Sequence, residues 1–295
     1  MKLNDILPEM FCEAIGNLDF NKLNEIRLRA NQPFIVTYDN KAYYLNKDGL
    51  CRKEQAYNVS NSILNFVINR ACSNSIYAFD SEIKRGYINL GSGYRMGVCG
   101  EAVTEKGEVS AIKNIASVNI RIPHEIRGCS DRIKHYIKEP ISTLIIAPCG
   151  AGKTTILRDL AQSFGNYENP YAVTVIDERG EISGIGNGES AFKMNGCDIV
   201  SNCPKEYAFE NVVRSMSPDV VITDEIFVKD RANLKMCVDS GVKVLASLHA
   251  ENIEQATEKL GEDMKKIFDM YVILSKKVKI GEIKAIYNKN IEKIL

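Results

Sequence analysis

The second half of the chain alternates short apolar runs with segments that have helical periodicity. The apolar runs are TLIIA, AVTVID, DVVITD, VKVLASL and MYVIL. Runs rich in Val, Ile and Leu, separated by helices, are typical of a parallel sheet that is covered on both faces. The pattern therefore predicts an α/β domain with a mostly parallel sheet over residues 138–295.

The first half shows a different pattern, in which short strand-like runs are mixed with helical spacing. Residues 55–72 carry apolar side chains three and four positions apart, which predicts a helix. The sequence KRGYINLGSGYRMGVCGEAV predicts a hairpin around Gly91-Ser92-Gly93, and ASVNIRIPHEI alternates like a strand. Pro140 interrupts the helical pattern that precedes the first apolar run. We therefore predict a smaller α+β N-terminal domain over residues 1–137.

Composition and charge narrow the classes of function. Hydrophobic residues make up 45% of the chain and charged residues 26%, as in an ordinary globular protein. The 38 Lys and Arg residues balance the 38 Asp and Glu residues, so no nucleic-acid partner is expected. The nine cysteines are scattered, no apolar run is long enough to span a membrane, and no signal-peptide pattern is present. These features predict a soluble, cytoplasmic protein with reduced thiols.

The sequence TLIIAPCGAGKTTILRDLA is typical of a phosphate-binding loop. An apolar strand runs into a Gly-rich turn, and an amphipathic helix is predicted to begin near Lys153 and to end at Gly165. Ala147 stands where the usual pattern has its first glycine, at a strand end that needs only a small residue. The predicted nucleotide-binding residues of the loop are Ala147, Pro148, Cys149, Gly150, Ala151, Gly152, Lys153, Thr154 and Thr155.

This loop predicts that the protein binds ATP and Mg²⁺. Gly150 and Gly152 can adopt positive φ, which turns backbone N–H groups toward a polyphosphate. The N-terminus of the following helix adds partial positive charge. Lys153 is expected to reach the β- and γ-phosphates, and Thr154 to offer its hydroxyl to Mg²⁺.

Two acidic residues end another apolar run. Asp224 and Glu225 follow DVVIT, and in a P-loop enzyme such carboxylates hold Mg²⁺ and polarise the attacking water. We predict metal binding for Asp224 and catalysis for Glu225. The second carboxylate favours an ATPase over a kinase, because a kinase uses its substrate as the nucleophile.

Three further residues are catalytic candidates. Glu178 and Glu181 belong to the stretch VTVIDERGEI, where one acid can activate water and another can orient the base. A charged turn is the alternative interpretation of this stretch. His249 follows VLASL and can sense the γ-phosphate or link the site to a neighbour, although a lone His is often structural.

The order of APCGAGKT, IDERGEI, SPDVVITDEI and SLHA resembles the order of motifs in the ATPases of type II and type IV secretion systems. A closer resemblance, to the stage III sporulation protein AA family, covers residues 26–249. It includes NEIRLRANQPF, GYRMGVCGEAV, NIASVNIRIPHEI, GCDIVSNCPK and VVRSMSPDVVITDEI. Two positions depart from the secretion ATPase pattern: Asp224 stands in place of the usual glycine, and Phe227-Val228 stand where an arginine usually follows.

The resemblance implies a RecA-like P-loop NTPase domain and an ATPase of the mother cell of an endospore-forming bacterium. It implies a hexamer on the cytoplasmic side of a channel complex between mother cell and forespore, peripherally attached through the membrane proteins of that complex. In secretion ATPases the nucleotide lies between the N-terminal and RecA-like domains, and arginines of the former neutralise phosphate charge. Arg95 and Arg121 are the candidates for that role, the alternative being ordinary surface arginines.

Two other functions stay open at this point. RecA-like cores also serve nucleic-acid-dependent ATPases such as helicases, a reading that the zero net charge disfavours. A nucleotide-gated assembly scaffold that binds ATP and scarcely hydrolyses it would carry the same loop.

Overall fold

The structure, a computed structural model, describes residues 3–91, 93–105, 107–166, 171–185, 190–261, 263–275 and 280–295. The chain divides into two compact units, each with its own hydrophobic core. The first unit consists mainly of Met1–His124, and the second of Glu125–Ile185 and Phe192–Leu295. In the described ranges no helix has both the length and the apolar character needed to cross a membrane.

The first unit combines strands with short helices, in agreement with the predicted α+β class. Its described helices are α1 (Leu3–Ile6), α2 (Glu9–Gly16), α3 (Asn61–Ala71) and α4 (Asp80–Lys84). Its described strands are β1 (Leu23–Arg29), β2 (Gln32–Pro33), β3 (Ile35–Tyr38), β4 (Lys41–Asn46), β5 (Gly49–Cys51), β6 (Asn58–Val59), β7 (Tyr87–Gly91), β8 (Tyr94–Glu105) and β9 (Glu108–Arg121). Helix α3 begins later than residue 55 because Ser60 caps it, accepting a hydrogen bond from the Ile63 N–H at 3.3 Å.

Within the described residues of this unit, seven strands form one antiparallel sheet in the order β5-β4-β3-β1-β9-β8-β7. Successive side chains of a strand point to opposite faces, so each strand has a core side and an outer side. Ile26, Ile120 and Met96 are paired across three strands and are fully buried. Strands β7 and β8 form the predicted hairpin, and Ser92 of its turn lies outside the described residues.

The second unit alternates strands with helices. Its described helices are α5 (Asp131–Lys134), α6 (Lys153–Phe164), α7 (Lys205–Ser215), α8 (Arg231–Asp239), α9 (Ile253–Leu260) and α10 (Met264–Ile267). Its described strands are β10 (Thr143–Ala147), β11 (Val173–Asp177), β12 (Cys197–Ser201), β13 (Val220–Thr223), β14 (Lys243–His249), β15 (Met270–Ser275) and β16 (Glu282–Asn288). The five apolar runs of the sequence correspond to β10, β11, β13, β14 and β15.

These strands form a mostly parallel sheet in the order β12-β11-β13-β14-β10-β15-β16, counted over the described residues. All neighbouring pairs are parallel except β15 and β16. Both faces are covered: Leu157 of α6 packs with Ile145 on one side, and Phe209 of α7 packs with Ile146 on the other. The predicted α/β class with a mostly parallel sheet is therefore confirmed.

The division of the chain differs in position from the boundary expected from Pro140. Residues 125–137, which the sequence analysis assigned to the N-terminal domain, lie in the second unit. Ile133 of α5 and Ile137 are buried in the same cluster as Leu157 of α6. Packing against α6 thus joins this segment to the second core.

Helix α6 occupies the predicted span, but the glycine that follows its last residue is needed for a different reason than expected. Gly165 is the C-cap with φ −83°, outside the left-handed region. A Cβ at this position would lie 2.8 Å from the Cys197 sulfur and 3.1 Å from the Gly196 carbonyl oxygen. The glycine therefore allows the end of α6 to approach the start of β12 closely.

Candidate functional site

The predicted phosphate-binding loop connects β10 to α6. Ala147 is fully buried at the end of β10, which agrees with the need for a small residue there. Gly150 and Gly152 have φ of 74° and 90°, and Gly152 is the N-cap of α6. Both glycines are thus in the left-handed conformation that turns the backbone of such a loop inward.

Lys153 begins α6 and folds back over the loop. Its ammonium donates to the carbonyl oxygens of Ala147 at 2.9 Å and Pro148 at 3.1 Å. Thr154 and Thr155 follow on the first helical turn and are half-buried. Lys153 and Thr154 are thus the first two residues of a helix of 12 residues.

Two neighbouring features complete the loop. The Gly281 N–H donates to the Ala151 carbonyl at 3.1 Å, so the residue just before β16 supports the loop backbone. Cys149 is exposed on the outer part of the loop. The first turn of a helix leaves N–H groups without intrahelical partners and carries partial positive charge. Together with the Lys153 ammonium, these features fit a bound polyphosphate, and the Thr154 hydroxyl fits Mg²⁺.

Parallel pairing brings the other candidate residues to the same edge of the sheet. Strand β14 lies between β10 and β13, so those two strands are roughly 10 Å apart. His249, at the end of β14, is in register with Ala147 at the end of β10, and its side chain is exposed. Asp224 and Glu225 follow β13 directly at the same edge.

Asp224 is buried and faces an ammonium that the sequence analysis did not consider. Lys205, the first residue of α7, is 5% exposed, and its Nζ lies 3.3 Å from Asp224 Oδ1. Burial raises the pKa of Asp224 to about 6, the Lys205 ammonium opposes that rise, and the carboxylates of Asp177 and Glu181 add to it. The metal-binding role of Asp224 remains a prediction, since its carboxylate is paired with Lys205.

Glu225 is half-buried and contacts a second cation. Arg179 Nη1, from the turn after β11, lies 3.5 Å from Glu225 Oε2. The backbone on both sides of Glu225 is fixed, because the Lys205 ammonium donates to the Glu225 carbonyl at 2.6 Å and the Ile226 N–H donates to the Ser247 carbonyl at 2.8 Å. The Glu225 carboxylate is thus held at the sheet edge while remaining accessible to solvent.

The turn after β11 is organised by Asp177. Its carboxylate accepts hydrogen bonds from the N–H groups of Glu181, Ile182 and Ser183 and from the Ser183 hydroxyl, at 2.7 to 3.2 Å. Asp177 is fully buried and therefore holds the turn rather than facing a ligand. Glu178 is exposed and Glu181 is half-buried, so both remain accessible as catalytic candidates.

Arg158 ties the same turn to the phosphate-binding helix. Its Nε donates to the Ile182 carbonyl at 2.6 Å and its Nη2 to the Glu181 carbonyl at 2.5 Å. The guanidinium lies over the Phe192 ring at 3.6 Å. Burial lowers the pKa of Arg158 to about 10, with Asp177 opposing, so the group stays charged at neutral pH.

Arg95 and Arg121 lie in the first unit, on the outer side of its sheet. They face each other across β8 and β9 in direct register. The Arg95 guanidinium lies 3.8 Å from the centre of the Tyr87 ring, and Arg121 Nε lies 3.9 Å from Glu25 Oε1. The structure therefore places the two arginines next to each other on neighbouring strands, and their role toward nucleotide remains a prediction.

No sequence motif indicates the roles of Lys205 and Arg158 or the structural use of Asp177. Lys205 ends the stretch GCDIVSNCPK, which carried the family resemblance without indicating a role for the lysine. Arg158 sits on the polar side of the α6 pattern, where a solvent-exposed residue is the ordinary expectation. Only the folded chain brings these cations to the ends of β11 and β13.

Comparison with known proteins shows the family to which the chain is similar. The profile of the family described as "Sporulation stage III, protein AA" matches residues 3–294. The chain is 31% identical over 304 aligned residues to the stage III sporulation protein AA of Bacillus subtilis strain 168. That alignment covers 98% of this chain and 95% of the relative.

Two solved structures are similar to the chain at low sequence identity. The Legionella pneumophila ATPase DotB has a TM-score of 0.57 at 14% identity, over 85% of this chain and 72% of that chain. The pilus retraction motor PilT with bound ADP has a TM-score of 0.58 at 16% identity, over 90% of this chain and 76% of that chain. This likeness shows a shared fold and agrees with the predicted RecA-like P-loop domain.

Proposed function

This chain belongs to the sporulation stage III protein AA family, and on that basis we propose that it is an ATP-hydrolysing motor of the secretion type. It acts at the cytoplasmic face of a channel complex between mother cell and forespore during endospore formation. One observation carries the proposal: the phosphate-binding loop, His249 and Glu225 lie at the same edge of one parallel sheet.

In this proposal the phosphate-binding loop between β10 and α6 binds the triphosphate of ATP. Lys153 binds the β- and γ-phosphates, and the backbone around Gly150 and Gly152 cradles them. When bound, Mg²⁺ supplies positive charge to the phosphate oxygens, and Thr154 is the loop residue that would hold it. The left-handed conformation of Gly152 at the N-terminus of α6 supports this part of the proposal.

Water is the acceptor of the phosphoryl group. Glu225 orients the water and takes its proton, since its half-buried carboxylate lies one strand beyond His249 at the sheet edge. Glu178 or Glu181 orients that base, and His249 responds to the γ-phosphate. Arg179, in contact with Glu225, keeps the carboxylate in place.

The proposal extends to assembly and location, and the resemblance to secretion ATPases supports this part of it. The motor works as a hexamer, with Arg95 and Arg121 neutralising phosphate charge, and is attached to the membrane through proteins of the channel complex. It needs no nucleic acid, in keeping with 38 basic and 38 acidic residues.

Turnover by the purified chain tests the hydrolytic part of the proposal. We expect Mg²⁺-dependent ATP hydrolysis that falls by at least about 100-fold in Lys153→Ala, because the ammonium stabilises charge on the transferred phosphoryl group. Lys284→Ala, an exposed lysine on β16, is the matched control and should hydrolyse ATP like the wild type. Turnover that survives Lys153→Ala would refute this function.

A second variant separates the motor from the scaffold. Glu225→Gln should bind ATP normally and lose roughly 100- to 10,000-fold in turnover, because general-base catalysis is removed. Glu258→Gln, an exposed site on α9, serves as its control. Sporulation that proceeds normally with Glu225→Gln favours the nucleotide-gated scaffold, and stimulation of wild-type turnover by single-stranded DNA favours the nucleic-acid-dependent ATPase.

Light scattering with and without ATP tests the hexamer. The motor predicts a mass near six times the 33.0 kDa of the chain in the presence of ATP, together with turnover per chain that rises with protein concentration. A monomer under both conditions would contradict the motor while leaving the hydrolysis result intact.

A further inference from the structure

Lys205 occupies a position that is unfavourable for a lysine on two grounds. It is 5% exposed, and lysine is rarely buried to this degree unless it is paired. It is also the first residue of α7, directly after the N-cap Pro204, where the helix dipole disfavours positive charge. Such a residue is tolerated only if its surroundings compensate for both effects.

The compensation comes from the end of β13. The Lys205 ammonium donates to the carbonyl oxygens of Asp224 at 2.7 Å and Glu225 at 2.6 Å, and lies 3.3 Å from Asp224 Oδ1. These three contacts match the three donors of an ammonium group. Lys205 thereby fixes the carbonyl groups on both sides of the Glu225 Cα, that of Asp224 before it and that of Glu225 itself.

The contacts define how the Glu225 carboxylate is aimed. The Glu225 backbone is held by Lys205 at its carbonyl, and the next residue, Ile226, donates to the Ser247 carbonyl of β14 at 2.8 Å. The peptide after Glu225 is thus clamped between α7 and β14. A small rotation of this peptide would move the carboxylate relative to the loop after β10, and misplacement by one ångström can cost about 100-fold in rate.

We propose that Lys205 is a positioning residue for Glu225 and that Asp224 is its counter-ion. This inference rests on the proposed ATPase function and deepens it. Asp224 then neutralises the buried ammonium, and it is this pairing, rather than direct binding of Mg²⁺, that requires an aspartate where secretion ATPases usually have glycine. Lys205 and Asp224 act as one unit that holds the base.

A double substitution distinguishes positioning from simple structural support. Lys205→Met leaves the buried Asp224 carboxylate without its partner and should lower the unfolding temperature. The double variant Lys205→Met/Asp224→Asn buries no charge of this pair and should recover most of the lost unfolding temperature. We expect its kcat to stay about 10- to 100-fold below wild type, with the Kd for a fluorescent ATP analogue unchanged.

The control is an exposed pair of the same kind. Lys235 and Asp239 form an ion pair at 2.6 Å on α8, with both side chains more than half exposed. Lys235→Met should leave the unfolding temperature, kcat and analogue affinity at their wild-type values. Lys205→Arg, which retains the charge with a larger head group, should keep more turnover than Lys205→Met.

Three results would overturn the inference. Full recovery of both unfolding temperature and kcat in the double variant would make the pair merely structural. A Kd for the analogue that rises in Asp224→Asn with Mg²⁺ present, but not in its absence, would make Asp224 a metal ligand. A wild-type chain without turnover would remove the proposed function and the positioning role together, whereas wild-type turnover lost in Lys153→Ala upholds the function whatever Lys205 does.

Discussion

Two aspartates at adjacent strand ends show how neighbours determine the use of the same residue type. Asp177 accepts hydrogen bonds from three backbone N–H groups and a hydroxyl and is satisfied within its own turn. Asp224 is also buried, but its carboxylate is matched by the single ammonium of Lys205. Its carboxylate therefore remains sensitive to burial, as its pKa of about 6 indicates.

This difference predicts a pH dependence of stability. The pKa of Asp224 is about 6 in the folded state against an ordinary value of 3.8, so the folded state binds this proton more tightly than the unfolded state does. The stabilisation that comes from the bound proton is complete below pH 3.8 and is lost as the pH rises through 6. Raising the pH from 4 to 7.5 should lower the free energy of unfolding of the wild type, relative to Asp224→Asn, by up to about 3 kcal/mol. Urea denaturation of both proteins at the two pH values measures this change.

An exposed aspartate provides the control for this measurement. Asp239 on α8 is 62% exposed, so wild type and Asp239→Asn should keep a constant difference over the same pH range. A wild type that gains stability relative to Asp224→Asn on raising the pH would contradict the pKa of Asp224 and its cause.

At the scale of elements, the periodicity of apolar residues predicted the buried strands and the amphipathic helix of the second unit, but not its edge strands. The apolar runs of β10 and β14 and the amphipathic pattern of α6 gave their positions directly, because both faces of the sheet are covered by helices. Strands β12 and β16 were not predicted. They are the two edge strands of the sheet and are only partly buried, so their pattern is mixed rather than continuously apolar.

For the candidate site, too, the sequence predicted the residues that lie in local motifs and not the contacts between distant segments. The loop and Glu225 lie within motifs whose residues are close in the chain, and the sheet brings them to one edge as expected. The contact of Lys205 with Asp224 joins residues 19 positions apart, at the start of α7 and just after β13, and no local pattern encodes it. Arg158 and the turn after β11 are likewise joined only by tertiary packing.

Substitutions in the turn after β11 should lower the free energy of unfolding by an amount that depends on how many hydrogen bonds they remove. Asp177→Ala leaves the N–H groups of Glu181, Ile182 and Ser183 without their acceptor, which we expect to cost at least about 2 kcal/mol in the free energy of unfolding. Ser183→Ala removes the hydroxyl that donates to Asp177 and accepts from the Ile185 N–H, but it leaves the three N–H groups with their acceptor, and it should cost about 1 kcal/mol. Chemical denaturation compares these variants with Asp198→Ala, an exposed aspartate on β12, and equal effects of all three would contradict the structural use of Asp177.

At the scale of the whole molecule, the residues proposed for turnover belong to two units. The phosphate-binding loop and Glu225 lie in the second unit, and Arg95 and Arg121 lie in the first. Within the first unit the two arginines are adjacent on neighbouring strands, so they present a local pair of positive charges on the outer side of the sheet. The proposed function assigns to these two arginines the neutralisation of charge on the phosphates of the nucleotide.

Removing the exposed arginine should therefore affect turnover more than folding. Arg121 is 67% exposed, so Arg121→Ala should leave the unfolding temperature nearly unchanged. Its turnover should fall by at least about 100-fold if it neutralises transition-state charge as arginine fingers do. Turnover and mass by light scattering are compared with Arg52→Ala, an exposed arginine elsewhere in the first unit. Unchanged turnover in Arg121→Ala would make it an ordinary surface arginine.

The exposed thiol of the phosphate-binding loop offers a chemical record of nucleotide occupancy. Among the cysteines of the described residues, Cys149 and Cys99 are the exposed ones, and only Cys149 belongs to the loop. Alkylation by iodoacetamide, followed by peptide mass spectrometry, should slow at Cys149 when ATP is added and proceed unchanged at Cys99. Lys153→Ala should abolish that protection. Because the reaction requires no hydrolysis, the two thiols would reveal a chain that binds ATP and holds it, as readily as one that consumes it.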